Sequence, residues 1–354
     1  MIQKDLQSTL TRASELSDWL AEFFPMQQGE FTTVSGDASF RRYFRWCGIP
    51  LQPGYPGTII GVDAPPQHEN CLPFVRVATG LLNAGLCVPQ VFKVDYTKGF
   101  MAISDLGDQM LLDSLGAENV DEYYTQAFTQ LEKIQSIQSF DDYPLPPYST
   151  ELLLTEMQLF THWLLPQHLG LKLTSRQRTK IADLFHRLIT LAQHQPQVTV
   201  HLDYHSRNLM VLENRTLGII DFQDAVRGAI TYDLISLVKD CYIKWPQHQV
   251  DGWILAFKNE QPGLQNVSGD EFIFWADTMS MQRHLKVAGI FSRLYYRDSK
   301  ADYLADIPLT LEYLIESTQR HADFKWLGQW INDELLPLTL EANEKVMDQN
   351  QEMA

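Results

Sequence analysis

Cysteine is scarce in this chain, four in 354 residues, and none of Cys47, Cys71, Cys87 and Cys241 stands in a C-x-x-C pair. That scatter excludes a disulfide framework and a cysteine zinc site, and it reads as reduced thiols. No stretch approaches the ~18 uninterrupted apolar residues of a membrane span. No apolar run follows a basic segment near the N-terminus either, so the expectation is a cytoplasmic protein with no membrane partner. Basic charge is also short. Lys and Arg number 28 against 44 Asp and Glu, a formal net charge of −16. Nucleic-acid binders carry basic stripes, so nucleic acid is excluded as a partner. Internal repeats are absent, which removes solenoids and propellers.

What is present is ordinary for a globular chain: 45% apolar and 20% charged residues, with enough length for two lobes, each with its own core. Leu6, Leu10, Ala13, Leu16, Leu20 and Phe24 recur at helical spacing, which predicts an opening helix over about 5–24 ended by Pro25. Strand patterns follow at 31–34, 40–46 and 58–62, then a helix from Phe74 to Leu82 with Gly85 beyond its end. Two more strands cover 91–94 and 100–104. From Asp105 onward the pattern is helical, at about 120–138, 150–165, 174–194, 233–242, 248–258, 270–296 and 308–320. The acidic end, Asn343 to Ala354, reads as a frayed tail. The expected fold is α+β and bilobal. Residues 1–104 form a small five-stranded lobe and 105–354 a mainly helical one, with a hinge at Asp105–Gly107.

The chemistry concentrates in two short runs. His201-Leu202-Asp203-Tyr204-His205-Ser206-Arg207-Asn208 sets an Asp and an Asn five apart in a polar loop. Thirteen residues on, Gly218-Ile219-Ile220 reads as an apolar strand ending in Asp221-Phe222-Gln223-Asp224. Phosphoryl transfer from ATP uses three such groups: an acid/base Asp at the acceptor hydroxyl, an Asn on magnesium, and an Asp on magnesium. His201 and His205 suggest a zinc pair only if a helix presents both, and Val198-Thr199-Val200 reads as a strand instead.

In order along nearly the whole chain, these runs join Gly36-Asp37-Ala38-Ser39-Phe40-Arg41-Arg42-Tyr43-Phe44, Val62-Asp63-Ala64-Pro65-Pro66, Tyr232-Asp233-Leu234, Gln282-Arg283-His284-Leu285-Lys286 and Arg297-Asp298. The set resembles the aminoglycoside phosphotransferase family, the small-molecule branch of the kinase-like superfamily. Within it the chain is similar to bacterial anomeric kinases of N-acetylmuramate and N-acetylglucosamine, which act in peptidoglycan recycling. The resemblance implies Asp203 as base or orienter of the acceptor hydroxyl, and Asn208 and Asp221 as ligands of Mg2+ between the phosphates of ATP. It implies Asp233 as a brace of the catalytic loop, and Asp224 on the acceptor pocket.

Departures from the protein-kinase pattern also inform. Leu202 stands where regulated protein kinases carry an Arg, and Gln223 where they carry the Gly of D-F-G. Few residues separate Phe222 from Asp233, too few for a protein-substrate platform. The acceptor is therefore a small molecule. Around the nucleotide, Gly36, Asp37, Ala38 and Ser39 are the candidate phosphate loop, with backbone amides as donors. Ser104, Asp105 and Leu106 are the candidate adenine hinge. The strand at 58–62 carries no lysine, and Arg41, Arg42 or Arg45 can supply that charge. Alternation puts Arg42 on one face with Phe40 and Phe44, and Arg41 and Arg45 on the other. Arg42 is taken as the candidate, although the sequence does not say which face meets ATP. Arg283 and Lys286, three apart on a helix, are candidates for an anionic substituent of the sugar. The competing readings are a kinase of another small alcohol (aminoglycoside, choline or homoserine) and a catalytically silent nucleotide-binding module.

Overall fold

The computed structural model describes residues 2–34 and 40–353, and the side chains of 11–34 and 40–349. The chain divides into two compact units. The first comprises Met1–Gln126, Ser139–Pro144 and Arg207–Ala225; the second comprises Ala127–Gln138, Leu145–Ser206 and Val226–Ala354. This division follows packing, so residues 105–126 go with the sheet.

In the first unit, α1 (Ile2–Phe23) leads into β1 (Met26–Thr33), β2 (Arg42–Pro50) and β3 (Thr58–Asp63). After α2 (Cys71–Asn83) come β4 (Val91–Asp95) and β5 (Phe100–Ser104). The five strands form one antiparallel sheet in the order β1-β2-β3-β5-β4. Alternation gives one face Phe44, Trp46, Ile59, Phe100 and Ala102. The apolar stripe of α1, Leu16, Trp19 and Leu20, buries against them. Each such side chain contributes about 1.5–3 kcal/mol by leaving water. Gly61 permits the close approach of α1, since a Cβ there would lie 2.6 Å from Leu20 Cδ1. The expected helix at Phe74–Leu82 is longer at its start, because Asn70 caps it by accepting the Leu72 N–H at 2.9 Å. Its end is as expected: Gly85 takes φ +73°, and Leu86 N–H returns to Leu81 O at 3.1 Å. The hairpin of β7 (Leu209–Val211) and β8 (Leu217–Ile219) completes this unit, Ile219 N–H reaching Cys87 O.

Helices dominate the second unit. α3 (Val120–Ser136) enters it from the first, and α4 (Thr150–Leu159) and α5 (Ser175–His194) follow. Then come β6 (Gln197–Val200), paired antiparallel with β9 (Val226–Ala229), and α6 (Tyr232–Val238), α7 (Gln247–Glu260) and α8 (Gly269–Asp298). The helix expected over 150–165 changes hand-over at Phe160, where a π-helical turn runs Phe160–His168 around Pro166. Proline lacks the N–H of an α-helix and crowds the carbonyl four residues back, and the wider i to i−5 spacing accommodates it, as in Leu169 N–H to Leu164 O at 3.0 Å. The chain ends in α9 (Ile307–Gln319), α10 (Lys325–Trp330) and α11 (Leu336–Met353). The frayed tail expected from Asn343 onward is therefore corrected. Asn343 is buried, its amide donating to Leu304 O at 2.8 Å while its Oδ1 meets His168 Nε2 at 2.9 Å.

Candidate active site

In the second unit β6 leads into the candidate catalytic loop at His201. Its partner β9 leads into α6, whose first turn carries Asp233, fully buried. Asp233 accepts the His201 N–H at 2.6 Å and the Leu202 N–H at 3.1 Å. Burial pushes its carboxyl up to about 7, against the pull of those two amides. The clamp holds Leu202 at φ +77°, a left-handed conformation unusual for leucine. The far end of the loop is tied by a residue that sequence reasoning missed. Buried Asp240, just beyond α6, accepts both the N–H (2.9 Å) and the hydroxyl (2.5 Å) of Ser206. Tyr204 adds a third anchor, its hydroxyl donating to Ala127 O at 2.8 Å.

Between these anchors Asp203 is half-buried. Burial raises its carboxyl, but Lys286 first, then His205, His201 and Arg283, outweigh that and hold it below the ordinary carboxylate range. Lys286 is engaged: its Nζ lies 2.9 Å from Glu156 Oε1 and donates to the Tyr232 hydroxyl at 3.1 Å. Glu156 also accepts the Tyr148 hydroxyl. Neither Glu156 nor Tyr148 carried any signal in the sequence. Arg283 differs. It is 2% exposed, and its Nε and Nη1 have no hydrogen-bond partner among the described residues. A buried, unpaired guanidinium donor is costly, so it marks a place for an accepting group.

In the first unit the β7–β8 hairpin brings Asn208 and Asp221 together. Ile220 N–H bonds Asn208 O at 3.0 Å, and Asn208 Nδ2 donates to Asp221 Oδ2 at 3.3 Å. Asp221 holds φ +63°, and Gln223 Nε2 donates to its Oδ1 at 2.7 Å. Phe222 is buried and packs on Phe74 of α2, ring centroids 4.9 Å apart. Asp224 is exposed and accepts a longer bond from Gln223 at 3.3 Å. An amide and a carboxylate at bonding distance suit magnesium, which takes few protein oxygens and keeps its waters. The boundary between the units falls at Ser206/Arg207, inside the loop, so Asp203 belongs to one unit and Asn208 and Asp221 to the other.

Of the nucleotide candidates, Gly36, Asp37, Ala38 and Ser39 lie outside the described residues. β5 ends at Ser104, whose hydroxyl accepts the Gln90 N–H at 2.8 Å. Asp105 then takes Arg45 Nε at 2.6 Å and the Gly107 N–H at 2.9 Å. Leu106 packs over Gly218 of β8, where a Cβ would stand 2.9 Å from Leu106 Cδ1. Arg42 does not point away from the sheet alone: its Nε bonds Asp63 Oδ2 at 3.1 Å.

Comparison with known proteins agrees with this arrangement. Residues 30–268 match the model of the phosphotransferase enzyme family. An N-acetylmuramate/N-acetylglucosamine kinase of Pseudomonas putida is 38% identical over 333 residues, 90% of this chain and 96% of that one. The enzyme of the same name from Neisseria meningitidis serogroup B is 35% identical, over 92% of this chain and 98% of its own. Among solved structures, the GDP complex of aminoglycoside 2'-phosphotransferase-IIIa superposes with a TM-score of 0.58 at 14% identity, over 86% of this chain and 97% of that chain. A choline/ethanolamine kinase family protein from Mesorhizobium loti gives 0.59 at 12% identity, over 94% and 99%. With a family model spanning well over half of its length and curated relatives covering nine-tenths of it, this chain belongs to the aminoglycoside phosphotransferase family of phosphotransferase enzymes and has their kinase-like fold.

Proposed function

We propose that this protein is an ATP- and magnesium-dependent kinase that phosphorylates the anomeric hydroxyl of N-acetylmuramate and N-acetylglucosamine. The observation that carries the chemistry is the clamped loop, in which Asp203 stands half-buried with its carboxyl held below the ordinary range by neighbouring cations. The substrate class rests on the names of the relatives and their similarity to nearly the whole chain. Asp203 accepts the proton of the anomeric hydroxyl as its oxygen bonds to the γ-phosphorus, and the bond from that phosphorus to the bridging oxygen of ADP breaks. Asn208 and Asp221 are the residues that would hold Mg2+, which would neutralise phosphate charge. Adenine takes its hydrogen bonds from the backbone around Ser104, Asp105 and Leu106. Asp224, exposed in the structure, is the candidate on the acceptor side. Arg283 reads the lactyl carboxylate that only N-acetylmuramate carries, with its unpaired Nε and Nη1 as donors.

The test is ADP release across a panel of both amino sugars, aminoglycosides, choline and homoserine, for the wild type and two variants. Both sugars should be converted to 1-phosphates. Asp203→Asn should lower kcat by on the order of 10²–10⁴, the reach of a positioned acid/base group. Arg283→Ala should lower kcat/KM on N-acetylmuramate by about ten- to hundred-fold, the equivalent of a charge-assisted hydrogen bond, and leave N-acetylglucosamine nearly unchanged. Turnover of aminoglycosides with neither sugar accepted would sink the substrate assignment.

A further inference from the structure

Phosphoryl transfer needs a protein cation on the phosphates of the donor, and β3 carries no lysine to supply it. Three arginines at the start of β2 have the charge, and the strand register separates their roles.

Phe44 and Trp46 point to the face that α1 covers, since they share a core with Leu16, Trp19 and Leu20. Arg42 alternates onto that same face. There it meets its cross-strand partner, the fully buried Asp63. Arg12 of α1 bonds the same carboxylate, its Nε 2.9 Å from Oδ1, and its guanidinium lies over the Phe100 ring. One carboxylate held by a helix guanidinium and a strand guanidinium ties α1 to the sheet. Arg45 alternates to the opposite face, but two carboxylates engage it: Asp105 at 2.6 Å and Asp108 at 2.8 Å. That cluster is net negative and is a poor host for a triphosphate.

Arg41 remains. It turns away from Arg42 and pairs with Glu69, just before α2, Nη2 to Oε2 at 2.8 Å. Both partners are sheltered, at 7% and 13% exposed. Glu69 also accepts the Phe40 N–H on its other oxygen at 3.3 Å, so one carboxylate fixes two consecutive residues. A guanidinium can hold a carboxylate on one edge and a phosphate oxygen on another, because its five donors lie in a rigid plane. Resting on the proposed kinase function, we infer that Arg41, oriented by Glu69, is the cation that pairs with the donor phosphates, and that Arg42 is a tether of α1. Glu69 is a positioning residue, acting through Arg41.

The experiment measures kcat and KM for ATP at saturating sugar, KM for the sugar, and the melting temperature. The variants are Arg41→Met, Arg41→Gln, Glu69→Gln, Arg42→Met and Arg12→Met. Arg41→Met and Arg41→Gln should lower kcat/KM for ATP by about ten- to hundred-fold with the sugar KM unmoved. The glutamine variant keeps a donor to Glu69, which provides a folded test if the methionine variant is unstable. Glu69→Gln should raise KM for ATP by less, with kcat nearly intact. Arg12→Met should lower the melting temperature and spare the ATP kinetics. A folded Arg41 variant whose ATP kinetics stay within about two-fold of wild type overturns the inference, as does a loss that appears only in Arg42→Met. A wild type that releases no ADP with any acceptor overturns the proposed function and this inference together. An active wild type with an indifferent Arg41 overturns this inference alone.

Discussion

Leu202 occupies a left-handed backbone conformation that its side chain disfavours, at φ +77°, whereas Asp221, at φ +63°, is of a type that tolerates it. At Leu202 such a conformation costs about 1–3 kcal/mol unless neighbours impose it, and the imposing group is the Asp233 carboxylate on two successive amides. The turn leads into Asp203, whose carboxyl is held down by the cations of α8. Lys286 is the strongest of these, so its loss should show in proton chemistry. In the proposed mechanism Asp203 works as a carboxylate, and removing a neighbouring cation raises its pKa. Lys286→Met should therefore move the acid limb of the kcat/KM profile to higher pH, costing more activity on the acid side than on the alkaline side. Lys286→Arg, which keeps the charge, should leave the limb in place, and parallel profiles for the two variants would refute this account. The spacing of the candidates Asp203, Asn208 and Asp221 was legible in the sequence because it is local, and the structure brings Asn208 to Asp221. Asp240, Glu156 and Tyr148 were not legible, because each meets its partner only through tertiary folding, and single polar residues carry no periodic signal.

At the scale of elements, the long periodic helices were readable, α8 among them at 270–296, and the last two, α10 and α11, were not. α8 is buried on nearly every side from Ala276 to Leu294 and carries its polar residues inside, among them Asp277 held by Lys239, Arg320 and His321. α11 was not expected, and its second half was read as a tail from Asn343, because its buried face runs through Thr339 and Asn343, which break the apolar period. The π-helical turn was invisible for a related reason: Pro166 alone signals a stop, and only the packing shows a detour. Gly289 of α8 lies where α4 becomes that turn, and a Cβ there would strike the backbone of Leu159 and Phe160. Backbone cannot swing aside as a long side chain can. Gly289→Ala should destabilise by about 1–3 kcal/mol or more, read as a lower midpoint in urea at unchanged slope. A midpoint equal to wild type would mean that the two helices separate freely.

For the whole molecule, the five-stranded sheet and the helix-rich remainder were expected from the sequence, since local period and composition carry both. The traffic of the chain between the compact units was not, because it depends on which distant segments pack together. The backbone passes between units after residues 126, 138, 144, 206 and 225. Fragments 1–126 and 127–354, made separately, should therefore fail to unfold cooperatively, and mixing them should restore a single transition followed by circular dichroism. A cooperative melt from 1–126 alone would show that the 207–225 hairpin is dispensable to its unit. The same interleaving constrains inheritance. A single crossover between two relatives, at any point from 127 to 206, would join the sheet of one parent to the 207–225 hairpin of the other. Functional recombinants should accordingly keep 1–126, 139–144 and 207–225 from the same parent, so this unit is passed on as three separated stretches of gene that must travel together.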